Sequence, residues 1–261
     1  METRASRGAH DGAEMDLYDV MHTTFAAREF TDEPVAPAVV ERLIEHARFA
    51  PSGGNRQGWN VIDVRARATR EALVPLFEPA MRRYLAQWQH GEVPWNPVRE
   101  TALDEQEIAA VEVPPEMLAL YLTAPVLLVV TIDLGAVAAM DQHLDRVGLV
   151  AGASVYPFVW NLLLAARNEG LGGTLTTLLV SREPEARAVL GIPEHVAIAA
   201  VLPIGRPVKQ LTKLLLDYPQ IIDVHFWAQF PGEPVDSGSR RIEYIAQHVL
   251  PEVRKTVGAV D

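Results

Sequence analysis

Ala50-Pro51-Ser52-Gly53-Gly54-Asn55-Arg56-Gln57-Gly58-Trp59 is a run of mostly small, hydrogen-bonding or backbone-exposing residues set between an amphipathic helix and an apolar strand. Pro51 ends the helix because its ring cannot continue the hydrogen-bond ladder, and Gly53-Gly54 open backbone conformations closed to other residues. Such a loop can bring bare N–H groups against a ligand. Ser52, Asn55 and Gln57 add hydroxyl and amide groups that both donate and accept, which suits the edge of a planar heterocycle. The same composition also makes an ordinary polar turn from helix to strand.

Working outward, Val39, Val40, Leu43, Ile44 and Ala47 recur at helical spacing before the loop, after a turn bracketed by Pro34 and Pro37. Residues 59–64 after it read as a strand, with Val61, Ile62 and Val64 suiting a pleated surface. Upstream, residues 16–24 predict a short helix with Asp16 as N-cap and Leu17, Val20 and Met21 on one face. Downstream, residues 67 to about 91 predict a long helix whose apolar side carries Leu73, Leu76, Phe77, Ala80, Met81, Tyr84, Leu85 and Trp88.

The stretch from about 91 to 115 is rich in Pro, Glu and Trp and has no period, as expected of a lid-like surface excursion. A short helix over 116–122 leads into the unbroken apolar run 125–133, the pattern of a strand covered on both faces. Residues 148–169 are apolar almost all round, with Gly148, Ala151, Gly152, Ala153 and Ser154 offering small surfaces, so one buried helix is expected there, placed at a subunit interface. Gly170-Leu171-Gly172-Gly173 ends it, either as a C-cap alone or as the start of an extended backbone along a flat ligand through Thr174 and Thr176. A helix over 182–190, a strand over 195–204 and a terminal helix over 240–257 complete the order. Helices and strands interleave without internal repeat, which favours an α+β or α/β sandwich.

The chain has 261 residues, 49% of them hydrophobic, no cysteine and a formal charge of -11. That length buries a sizeable core. The charge argues against nucleic acid as a partner, and the lack of a long charge-free apolar run argues against a membrane span, so a soluble, cytoplasmic protein is expected. Residues 1–15 read as a disordered leader. Thiolate chemistry is excluded, and any redox chemistry must come from a cofactor. No Walker loop, complete dinucleotide fingerprint, H-E-x-x-H or G-x-S-x-G pattern is present, which argues against a metal centre and a serine hydrolase. Trp88, Trp95 and Trp160 are either core residues or ring-stacking surfaces, and Trp95, in the excursion, is the most suggestive. Of the cations beside candidate ligand loops (Arg28, Arg56, Arg206, Lys209, Lys213), Arg28 stands out because it is held in a mixed apolar stretch.

Four segments in register, Arg28-Glu29-Phe30-Thr31-Asp32-Glu33-Pro34-Val35, the 50–59 loop, the helix ending N-L-L-L-A-A-R-N-E-G-L-G-G and the strand ending Pro203-Ile204-Gly205-Arg206-Pro207, resemble the FMN-dependent nitroreductase family. The resemblance covers roughly residues 16–210. It implies an α+β three-layer sandwich, with a mixed, mainly antiparallel sheet flanked by helices, in an intertwined homodimer holding FMN at two interfacial clefts. The tail, 211–261, becomes an extension placed to wrap the partner subunit.

By the same resemblance, Arg28 lies at the flavin phosphate, although Thr24 and Ala26 stand where members usually place Arg and Ser. Pro51, Ser52, Gly53, Asn55 and Gln57 meet the flavin and its ribityl chain across the dimer. Gly173, Thr174, Leu175 and Thr176 run past the ring near its reactive nitrogen, and Arg206 and Lys209, with Lys213, stand nearest to the remaining phosphate positions. Gly58 replaces a common proline. The implied activity is a ping-pong transfer of electrons from NAD(P)H through FMN to a nitroaromatic, quinone or similar small-molecule acceptor, with no side chain required as acid or base. Related chemistries are a flavin-sequestering role with a degenerate phosphate site, and dehydrogenation, dehalogenation or flavin breakdown.

Overall fold

A computed structural model of the chain describes residues 15–210. Residues 1–14 of the expected leader, Lys213, and the 211–261 extension with its 240–257 helix, Gln247 apart, lie outside the described residues.

Helix α1 (Leu17–Thr23) starts where Asp16 accepts a hydrogen bond from the Tyr18 amide at 2.9 Å. Its apolar face is narrower than the sequence suggests: Val20 is buried, while Leu17 and Met21 are exposed. Pro37 opens α2 (Pro37–Ala47), where its missing N–H costs no intrahelical bond. Strand β1 (Trp59–Asp63) follows the loop, then α3 (Arg67–Gln89), α4 (Glu105–Ala109), α5 (Pro115–Thr123) and β2 (Val126–Asp133). The excursion therefore contains one short helix.

Residues 148–169 do not form one helix. A 3-10 turn at Val150–Ser154 precedes α6 (Tyr156–Asn168), and Val155 at φ −128° separates them. Pro157 sits in the first turn of α6, where a proline begins a helix and cannot continue one. Gly170 at φ +73° stops α6 with a left-handed residue, and Gly172–Gly173 then forms β3, so the three glycines divide between a helix stop and a strand. Helix α7 (Glu183–Leu190) and strand β4 (Val196–Gly205) end the described order.

Among the described residues the sheet has the order β1-β2-β4-β3 with every ladder antiparallel, and a single parallel bridge, Ala26 to Gly173, makes its edge mixed. Successive residues of β2 face opposite sides. Val126, Leu128, Val130 and Ile132 pack with Leu43 of α2 and Phe158 and Leu162 of α6. Leu127 and Val129 pack with Leu73 and Phe77 of α3, Tyr121 of α5 and Ala186 of α7. Helix layers on both faces of one sheet give the three-layer α+β sandwich. Among the described residues no helix is long and apolar enough to cross a membrane.

Candidate functional site

A cavity of about 1080 Å³ opens between α3, α5 and the segment after β3. Its size is that of a large cofactor or substrate cleft. Met81 and Tyr84 of α3, Trp95 of the excursion, Met117 and Tyr121 of α5, and Tyr156 of α6 make its walls largely apolar and aromatic. Arg28 and residues Thr174–Leu178 also line it, together with the carboxylates of Glu29 and Glu116.

Tyr121 is 3% exposed and stacks on Phe77 with ring centroids 3.8 Å apart. Burial pushes its phenol up, while the Thr176 side chain and the Arg28 charge pull it down. The phenol therefore stays neutral and able to donate at ordinary pH, beside the hydroxyl of Thr176.

The backbone of residues 174–176 is an edge of the sheet. The Thr174 amide donates to Pro203 O at 3.3 Å, and Thr176 exchanges hydrogen bonds with Val201 at 3.0 and 2.8 Å. Alternation along an extended chain turns the Leu175 amide away from β4. The amides of Leu175 and Thr177 donate to no acceptor among the described residues, and both residues line the cleft. The free donors thus fall on Leu175 and Thr177, because β4 has taken those of Thr174 and Thr176. Gly173 permits this edge: a Cβ there would meet Pro203 O at 2.9 Å and Leu163 Cδ2 at 3.0 Å.

The 50–59 loop lies elsewhere on the chain. None of Pro51, Ser52, Gly53, Asn55 and Gln57 lines the cleft. The loop holds itself in shape: Ser52 Oγ accepts from the Gln57 amide at 2.9 Å, Asn55 Oδ1 accepts from Gln57 Nε2 at 3.0 Å, and Ser154 Oγ accepts from the Gly53 amide at 3.1 Å. Gly54, Asn55 and Gln57 all have positive φ, conformations that glycine and asparagine tolerate best. Gly58 has a packing reason to be glycine, since a Cβ at that position would stand 2.4 Å from Ala136 Cβ. Trp59 then stacks on Phe158 at 4.1 Å and ties the loop to α6.

The cations expected together line different openings, although backbone hydrogen bonds from Thr31 to Arg206 and from Val208 to Glu29 lay their segments side by side. Arg28 lines the cleft and donates to Ala26 O at 3.3 Å. Arg206 instead pairs with Glu33 at 2.6 Å and lines a separate shallow groove, and Lys209 is exposed outside the cleft. Thr24 spends its hydroxyl on Val20 O at 2.7 Å, and Ala26 bridges to Gly173. Thus Arg28, Thr174, Leu175 and Thr176 line one cleft, and Arg206, Lys209 and the loop residues are not among its lining within one chain.

Sequence reasoning missed Tyr121, Glu116 and Gln87, which carries Trp95. Tyr121 sits in the apolar run L-A-L-Y-L-T-A-P, where a lone phenol was the available signal.

A profile of the Nitroreductase family matches residues 23–206. The chain is 26% identical over 200 residues to human iodotyrosine deiodinase 1, covering 76% of this chain and 63% of that protein, so it spans less than two thirds of that relative. It is 29% identical over 202 residues to an NADH dehydrogenase of Thermus thermophilus, covering 70% of this chain and 82% of the relative. A solved structure of oxidized iodotyrosine deiodinase bound to FMN and 3-iodo-L-tyrosine matches with a TM-score of 0.58 at 21% identity, covering 82% of this chain and all of that one, which is a likeness of fold.

Proposed function

Since the chain belongs to the nitroreductase family, we propose that it is an FMN-dependent oxidoreductase that passes electrons from NAD(P)H to a nitroaromatic, quinone or similar electron-poor acceptor. The observation that carries this reading is the edge at Leu175 and Thr177, two amides unpaired among the described residues and lining a cleft with aromatic walls. A planar heterocycle rich in carbonyls and ring nitrogens fits such an edge, and the cleft is large enough for it. FMN, when bound, supplies the two-electron chemistry.

The chain's own residues orient and exclude. Amides aimed at a ring edge stabilise negative charge there without reorganising. Arg28 is the cation offered by the cleft among the described residues, and Met81, Tyr84 and Met117 give it apolar wall surface. Ser52, Asn55 and Gln57 belong to the partner's cleft in this reading. Apolar residues left exposed around the turn before α6, Met140, Leu149, Tyr156 and Trp160, support a homodimer through that face. The Gly53–Ser154 hydrogen bond joins the loop to the same face.

A flavin-holding relative without turnover is the second reading, favoured by the commitment of Arg206 to Glu33. Anaerobic stopped-flow mixing of FMN-loaded protein with NADH or NADPH separates the two. Flavin bleaching within the mixing experiment, reversed by 1,4-naphthoquinone, supports the oxidoreductase. Loaded protein that neither nucleotide bleaches sinks it. Offering 3-iodo-L-tyrosine as acceptor after reduction reads the dehalogenase chemistry in the same cell.

A further inference from the structure

Trp95 has φ +55°, a left-handed conformation rarely adopted by a bulky aromatic residue. Such an outlier persists only where its surroundings hold it. Three contacts do so here. The Trp95 amide donates to Gln87 Oε1 at 3.0 Å, and the Arg83 guanidinium lies 4.8 Å from the centre of the indole ring. Gln87 in turn donates to Glu92 Oε2 at 3.3 Å.

Glu92 anchors the far side of the excursion. Its carboxylate accepts from Thr101 Oγ1 at 2.6 Å and from the Ala102 amide at 2.8 Å, and these bonds hold its carboxyl below the usual range. Gln87 is 2% exposed on α3, and a buried amide is costly unless both of its ends find partners. Both of its ends serve the excursion.

All this rigidity is spent on a side chain that is not core. Trp95 is 45% exposed and lines the cleft, as do Tyr84 and Met117. Arg83, which covers ring surface, does not line the cleft, so the indole surface it leaves uncovered is the one offered there. A fixed indole at the rim of an aromatic-walled cleft favours an offset-stacked ring as its partner.

We infer that Trp95 is the specificity-determining surface on which a planar aromatic substrate stacks, and that Gln87 is the positioning residue that holds it there. The inference rests on the cleft being the acceptor site proposed above. Selection for aromatic over non-aromatic acceptors follows from it.

The test compares 4-nitrotoluene with ferricyanide, an acceptor that needs no stacking surface, using FMN-loaded full-length protein. In Trp95→Leu the ratio of kcat/KM for 4-nitrotoluene to that for ferricyanide falls about tenfold, the loss expected for one aromatic pair with its buried area. Trp95→Phe restores it to within about threefold of the parent, since a ring remains. Gln87→Leu lowers the same ratio, and adding it to Trp95→Leu lowers it no further, because both act through one contact. An unchanged ratio in Trp95→Leu, or additive losses in the double variant, overturns the inference. Trp95→Gly melts above Trp95→Ala if the backbone is strained as described, and the reverse order overturns that part.

If the protein cannot be loaded with FMN, the oxidoreductase reading falls and the stacking claim is still read directly. Titration of the FMN-free chain with 2-naphthol then shows Trp95→Leu binding about tenfold weaker than the parent, or equal binding overturns the claim.

Discussion

Replacing Gly173 with alanine puts a methyl group where none fits. Its Cβ would lie 2.9 Å from Pro203 O and 3.0 Å from both Ile204 Cγ1 and Leu163 Cδ2. Neither neighbour can retreat freely, since β4 is buried between the helix layers and α6 is packed against the sheet through Phe158, Leu162 and Leu163. Pro203 O also accepts the Thr174 amide, so the backbone that must yield carries the floor of the cleft. Overpacking of a closed site costs about 1–3 kcal/mol. At roughly 2–4 °C per kcal/mol for a domain of this size, the melting temperature falls by about 2–12 °C. Gly148→Ala is the matched control, because its nearest neighbour is Asp141 Oδ1 at 3.8 Å, an ordinary contact. Circular dichroism melts of the two variants beside the parent check the stability. Flavin fluorescence titration then checks that FMN affinity falls in Gly173→Ala alone. Should Gly173→Ala melt with the parent and the control, the close packing under residues 174–177 is not as described.

Arg28→Ala removes the cation that lines the cleft and weakens FMN about 10- to 150-fold in a fluorescence titration, the worth of one charge-assisted hydrogen bond. Arg206→Ala, whose guanidinium is committed to Glu33, changes the same titration less than about threefold if that commitment holds. Asp141 gives a pH signature. The Leu149 amide, with Arg146 and the Val150 amide, draws its carboxyl down from 3.8 to about 2. The folded pKa lies below the unfolded one, so the stability it contributes is complete above pH 3.8 and is lost as pH falls toward about 2. Melting temperatures measured across that window should fall more steeply for the parent than for Asp141→Asn.

Much of the fold was legible because β2 and α2 each declare their environment. The run Val126–Asp133 has apolar residues on both faces, and helices do cover both. Val40, Leu43 and Ala47 fall on one helical stripe and are buried. The region before α6 misled because small residues carry no period, and the informative residue was Pro157. Gly58 stands where a proline is common and is held to glycine by Ala136, a partner 78 residues away that no local pattern announces. The extended backbone at Gly173-Thr174-Leu175-Thr176 was legible, but which of its amides stay free depends on the register with β4. Arg206 illustrates the limit of reading charge from sequence: a basic residue near a ligand loop is available only if no carboxylate claims it, and Glu33 does.

The most direct test of the flavin cleft is the absorbance spectrum of the protein after incubation with FMN and gel filtration. Flavin bands should co-elute with the protein at about one FMN per chain, perturbed relative to free FMN by the aromatic walls. A colourless protein peak, with all of the FMN eluting free, would contradict it.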